Sequence, residues 1–163
     1  MTDQRVYHFH QNQSAIGNPA LSDKRPSNAF EHRVQVTSDD IDQQRHASNV
    51  AIVDWMNQAA IAHSTQLGYD TNAYQRIGAM FVVRRHEIDY LASANLNDEL
   101  ICYTWPSFAR KATAHRKHEI VRVADDVVIA RGLNMWAFID STTLRPKRMP
   151  PEVIDTFNPD KFV

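Results

Sequence analysis

Asp40, Asp42, His46 and Asn49 fall within one short polar stretch, Asp40-Ile41-Asp42-Gln43-Gln44-Arg45-His46-Ala47-Ser48-Asn49, that runs directly into an apolar helical segment over residues 50–67. A carboxylate set before a helix N-terminus lies beside unpaired backbone N–H groups and the positive end of the helix dipole. Such a junction can polarise a carbonyl next to a nucleophile or base, which is a layout for acyl transfer. Asp42 could attack a carbonyl itself and form a mixed anhydride, or deprotonate a water, and spacing alone does not separate the two. The same spacing also allows Asp42 merely to close a turn. Asp40 stands two residues upstream, where an aspartate in a polar loop usually makes an Asx-turn. His46 could orient a substrate or line a site. Asn49 could serve as helix cap, as site amide, or as both.

These residues need an element on either side to hold them. Residues 30–37 alternate, with Phe30, His32, Val34 and Val36 on one side and Glu31, Arg33, Gln35 and Thr37 on the other, which predicts a half-buried strand. Residues 38–47 read as a polar loop, with Ser48 or Asn49 as the cap of the following helix. In that helix Ile52, Trp55, Met56, Ala59, Ala62 and Leu67 recur near a 3.6 period, and Gly68 is a suitable stop. A loop is expected over 69–78. Beyond it come strand-like runs at 79–90, 99–105, 112–123 and 127–140, joined by Asn95-Leu96-Asn97-Asp98 and Asp125-Asp126, residue types that tolerate tight hairpins. Short links imply antiparallel pairing, so the expected class is α+β: about five antiparallel strands and one long helix. Pro146, Pro150, Pro151 and Pro159 leave room for only a short terminal helix near 151–157. The helix is apolar beyond the stripe that one sheet face would cover, so a dimer is expected.

Composition excludes several function classes. With 163 residues, 43% of them hydrophobic, the chain is sized for one domain. Residues 1–28 are rich in Asn, Gln, Gly and Pro and poor in large aliphatics, so they read as a flexible tail before a domain at 29–163. A formal net charge of -1 with dispersed basic residues gives no nucleic-acid footprint. The single cysteine, Cys102, rules out an internal disulfide and fits a reducing compartment. It alternates with Ile101 and Tyr103 and reads as a small core residue. No apolar run is long enough to span a bilayer and the N-terminus has no signal-peptide pattern, so the cytoplasm is the expected location. His115 and His118, three apart in a strand, should point to opposite faces, and no metal site is expected.

The pattern Asp40-x-Asp42-x-x-x-His46-x-x-Asn49 at a strand-to-helix loop resembles the hot-dog thioesterases of the 4-hydroxybenzoyl-CoA thioesterase type. The similarity extends through Val82-Val83-Arg84-Arg85-His86-Glu87-Ile88-Asp89-Tyr90-Leu91, Asn97-Asp98-Glu99-Leu100, the stretch 130–140, and Thr142-Thr143-Leu144-Arg145-Pro146 with Pro150, and covers residues 30–154. One departure stands out: the position before His46 is commonly Gly in this motif, and here it is Arg45.

The resemblance implies a hot-dog fold in which the sheet wraps around the long helix, a homodimer or dimer of dimers (a homotetramer), and metal-free hydrolysis of acyl-CoA or acyl-carrier-protein thioesters at the dimer interface. It places Asp42 on the family's catalytic carboxylate, with His46 and Asn49 beside it, and makes the CoA thioester the substrate, with no cofactor. Coenzyme A carries phosphates, so basic residues are expected near the site. The candidates are Arg84 with Arg85, Arg110 with Lys111, and Arg116 with Lys117, of which Arg84, Arg110 and Lys111 are preferred; ordinary solvated pairs are the simpler reading of each. Trp55, Met56 and Phe81 are core by default and acyl-pocket residues otherwise. Two other functions fit less well: a non-catalytic acyl-CoA binding module, and an enoyl-CoA hydratase of the hot-dog superfamily, whose Asp and His are separated by a longer motif containing Asn-Pro.

Overall fold

Alternation in the first run becomes β1, Phe30–Gln35, whose side chains are alternately half-buried and exposed. A 3-10 turn at Ser38–Asp40 follows, then α1, Asn49–Gln66, and a second helix, α2, Thr71–Ile77. The remaining strands are β2 (Ala79–Tyr90), β3 (Glu99–Arg110), β4 (Thr113–Arg122) and β5 (Val128–Asp140), followed by α3 (Pro151–Thr156) and a 3-10 turn at Pro159–Lys161. This computed structural model describes residue 21 and residues 24–163. The expected tail lies mostly outside the described residues. Of its described part, Arg25 pairs with Glu119 and stacks on the Tyr103 ring, while Ser27 and Asn28 donate to the carbonyls of Val163 and Lys161.

The five strands form one sheet in the order β1-β3-β4-β5-β2, every pair antiparallel, with β1 and β2 at the edges. The connectors behave as their residue types require. Asn97 and Asp126 take left-handed backbone, at φ 70° and 56°, which short polar side chains tolerate best among non-glycine residues.

Two expectations change. Residues 69–78 contain α2 rather than a loop: Asp70 Oδ1 accepts from the Ala73 N–H at 2.8 Å as N-cap, and Gly78 ends the helix at φ 59°. Seven residues are too few for a periodic signal. β3 runs to Arg110 instead of stopping at Trp105, because the register shifts between Pro106 and Phe108 and the proline sits where the ladder is already interrupted.

Ala51, Ile52, Trp55, Met56 and Ala59 of α1 pack on Leu100, Cys102, Ile120, Ile129 and Ala130 of the sheet, so Trp55 and Met56 are core residues. Gly132 of β5 lies under Met56 so closely that a Cβ there would stand 2.7 Å from its sulfur. A second cluster, Ala79, Phe138, Met149, Val153 and Phe157, joins α3 to the opposite end of the sheet, with Phe81 packed against it. Among the described residues no helix is long and apolar enough to cross a membrane.

Candidate active site

The polar stretch before α1 folds into a miniature hairpin. Ile41 and Ala47 face each other in an isolated antiparallel bridge. Inside it the Asp42 N–H donates to the His46 carbonyl and the Arg45 N–H to the Asp42 carbonyl, both at 3.0 Å. The hairpin is fixed to the body of the protein by the Ala47 N–H on the Ala94 carbonyl and the Ser48 N–H on the Asp40 carbonyl, both at 2.8 Å. Arg45 has φ 66°, in the left-handed region that glycine enters without a Cβ penalty. The chain thus keeps, with an arginine, the turn geometry that the glycine of the motif would favour.

Asp42 is half-buried, and its Oδ1 accepts from the Gln44 N–H at 2.8 Å. Its second oxygen accepts from no described residue. Asp40 is occupied structurally: one carboxylate oxygen accepts from both the N–H and the hydroxyl of Thr37, at 2.8 Å each. His46 is half-buried with Nδ1 3.3 Å from the Ala47 carbonyl.

Ser48, not Asn49, caps α1, its Oγ accepting from the Ala51 N–H at 3.1 Å. Asn49 is the first helical residue and its side chain is exposed, free of the capping role expected for it. The amides of Asn49 and Val50 are the first-turn donors that the cap leaves without a described partner. An open depression of about 410 Å³ lies beside them, lined by Asn49, Val50, Val53, Asp54, Asn57 and Tyr90. The Asn57 Oδ1 is buried and accepts nothing from the described residues. Asp42 and His46 sit in the adjoining loop and do not line the depression.

The fold therefore gathers Asp42, His46 and Asn49 at one junction. It does not bring the basic candidates to them within one chain. Arg84 is the extra residue of a bulge in edge strand β2, and its side chain is exposed. Arg110 ends β3 and Lys111 begins the β3–β4 turn, so Arg110 lies eleven residues, about 36 Å at the usual strand rise, from Glu99, which pairs with Gln35 at the end of β1.

A buried polar strip under α1 escaped the sequence reading. Arg116 is 7% exposed and donates to His63 Nδ1 of α1 at 2.8 Å, so the expected solvated Arg116-Lys117 pair is half wrong. His63 stacks on Phe30 with centroids 4.9 Å apart, and burial together with Arg116 depresses its pKa to about 3. Two residues along β4, His118 is buried with neither ring nitrogen bonded to a described residue, and burial, then Arg116 and His86, push its pKa well below the usual imidazole range. His86 Nδ1 meets Asn134 Oδ1 at 2.8 Å. Strand alternation places Arg116 and His118 on one face, which was the available signal. Cys102 is fully buried and burial raises its thiol pKa, as suits a packing residue. No group of three or more His, Cys, Asp or Glu among the described residues is placed to hold a metal ion.

A five-stranded antiparallel sheet with α1 on one face, entered through an Asp-bearing loop, defines a hot-dog thioesterase architecture. This chain belongs to the Thioesterase-like superfamily, whose family model matches residues 36–157. Its fold is similar to a thioesterase-superfamily protein from Jannaschia sp. CCS1 (TM-score 0.78, 20% identity, 85% of this chain and 97% of that one). It is also similar to a candidate oleoyl thioesterase from Lactobacillus plantarum (TM-score 0.75, 22% identity, 80% of this chain and 52% of that one), of whose length it spans about half. A 1,4-dihydroxy-2-naphthoyl-CoA thioesterase from Synechocystis is a further match (TM-score 0.72, 16% identity, 81% of this chain and 98% of that one). Among curated proteins none matches this sequence. Family membership supports hydrolysis of thioesters as the general activity.

Proposed function

We propose that this protein is an acyl-CoA thioesterase of the 4-hydroxybenzoyl-CoA thioesterase type, with Asp42 as the catalytic carboxylate. The observation that carries the reading is the junction itself: Asp42 in a loop tied to the first turn of α1, whose Asn49 and Val50 amides have no described partner. Those two N–H groups are suited to hold the oxyanion that forms when the thioester carbon is attacked. Asp42 either takes a proton from the attacking water or attacks directly, giving a mixed anhydride that water then cleaves. In both routes the C–S bond breaks, the thiol of coenzyme A leaves and a carboxylic acid remains. His46 and the Asn49 side chain orient the acyl group. The reaction so written needs no metal or cofactor, and acyl-carrier protein is an alternative carrier of the same thioester.

The reading includes a homodimer, alone or paired into a tetramer, with the sheets and α1 helices meeting so that Arg84, Arg110 and Lys111 of one copy can serve the CoA phosphates at the other's site. It supports a central helix for α1 and a cytoplasmic location. Asp42→Asn is expected to fold normally and to lose at least a thousandfold in turnover, measured as free thiol released from short, medium, long and aromatic acyl-CoAs. Wild-type turnover by the variant would remove Asp42 from the mechanism. Acyl-CoA binding with no thiol release from any substrate would favour a binding module instead.

A further inference from the structure

Most of the partnered arginines described carry a carboxylate. Arg122 pairs with Asp98 and Asp125, Arg25 and Arg131 share Glu119, and Arg85 meets Glu87. Arg116 is more buried than any of them, and among the described residues no carboxylate pairs with it. Its partners are the His63 ring, the Thr104 hydroxyl at 3.4 Å and the Phe157 ring, 5.8 Å from guanidinium carbon to centroid. Burial lowers its pKa only to about 10, so it stays charged at neutral pH, and the neutral His63 offers a lone pair without a compensating charge. A buried cation without a counter-ion is unfavourable by several kcal/mol in general and persists where something else completes it.

Arg116 opens on a cavity of about 240 Å³ at the far end of α1 from Asp42, with Ala60, Phe81, Pro106, Trp136 and Phe157 among its walls. Asn49 and Ser64 stand at its two ends of the helix, fifteen residues or about 22 Å apart at the helical rise. The Trp136 ring forms part of the wall, but its Nε1–H is buried out of reach of a ligand, so Arg116 is the polar anchor. The Tyr74 and Ser64 hydroxyls are already engaged with each other. One carboxylate, Asp70, also lines the cavity, but its Oδ1 is committed to capping α2. Cation and aromatic walls together suit a ligand with one anionic end and an apolar body, and the volume suits an acyl-sized molecule rather than a coenzyme A thioester.

We propose that the cavity beside Arg116 is a second ligand site, one that binds an organic carboxylate with its carboxylate on the Arg116 guanidinium and its apolar body against Phe81, Trp136 and Phe157. The carboxylate can belong to a free acid or to the far end of an ω-carboxyacyl group. Binding does not depend on hydrolysis, so the site stands or falls separately from the role of Asp42.

The test is calorimetric titration of the full chain with sodium octanoate and with octan-1-ol, the neutral molecule of the same chain length. Octanoate is expected to bind at least tenfold more tightly than octanol. Arg116→Met should abolish that difference, and Thr65→Trp, which narrows the exposed rim and leaves Arg116 in place, should weaken both ligands. Equal affinity for acid and alcohol, undiminished octanoate binding by Arg116→Met, or no binding of octanoate would each overturn the proposal. If Arg116→Met fails to fold by circular dichroism, the acid-to-alcohol ratio and Thr65→Trp still decide. Adding adipoyl-CoA to the octanoate complex of Asp42→Asn, which leaves the thioester intact, assigns the source: displacement of octanoate points to an ω-carboxyacyl group, its retention to a free acid, and both results uphold the site.

Discussion

At the residue scale, the candidate site and the polar strip both hold residues that break a local rule and that their surroundings keep in place. Arg45 adopts a left-handed turn that favours glycine, and Asp42 is aimed by a single backbone N–H within that turn. His63 and His118 of the polar strip break a different rule, being buried and neutral. Both His63 and His118 have folded-state pKa values below the unfolded value near 6.5. Below about pH 6.5 the unfolded chain takes up protons that the native chain does not, so the native state loses stability as pH falls from 6.5 toward 3. Urea denaturation between pH 8 and pH 4 should show that decline, steeper by up to about 1.4 kcal/mol per pH unit for each such histidine. His118→Leu should flatten the profile while leaving stability at pH 8 little changed or higher, since no described partner is lost. A pH-independent midpoint in the wild-type protein would show that neither histidine is held neutral.

At the element scale, α1 does two jobs that conflict unless its start is fixed. Its inner face supplies the core, and in the proposed reaction its first turn presents unpaired amides, so only part of the N-terminus can be capped. Ser48 satisfies the Ala51 N–H and its own N–H is tied to Asp40, which leaves Asn49 and Val50 open. Ser48→Ala is therefore expected to lower stability by about 1 kcal/mol in urea denaturation, and to lower turnover as well because the orientation of the first turn relaxes. Loss of stability alone would mean that the first turn is held by the Ser48 backbone and not by its side chain. The element boundaries were legible where the chain follows a period: alternation located the strands, and the 3.6 repeat located α1. They were not legible where short-range chemistry decided, as in α2, set by an Asp cap and a glycine stop over seven residues, and in β3, which continues through Pro106 at a bulge.

At the scale of the whole molecule, edge strand β2 is twelve residues long, and α1 exposes Val50 (77%) and Ile61 (64%) to the outside. Eleven residues separate the two, close to three helical turns, so they share a face. A long unpaired edge strand is a self-complementary surface that a two-fold dimer can cover, and the two exposed aliphatics flank Asp54 and Asn57 on one helix face. Sedimentation velocity is expected to give twice the 18.7 kDa chain mass, and Ile61→Lys, at a position where folding does not need the side chain, should shift the equilibrium toward monomer by tenfold or more. A wild-type monomer at micromolar concentration would separate the basic candidates from the Asp42 junction for good.

The sequence by itself determined the class, the strand order along the chain and the junction of Asp42, His46 and Asn49, because each of these is written in neighbours a few residues apart: alternation, helical repeat, and a loop that enters a helix. Tertiary structure alone decided what lies beneath α1. Arg116, His63, His86, His118 and Asn134 come from one helix and three strands, and although alternation puts Arg116 and His118 on one face, nothing local says that this face is covered. Burial is a property of the face that a strand turns toward its neighbours, and a charge becomes exceptional only when distant segments remove its water and bring no counter-ion.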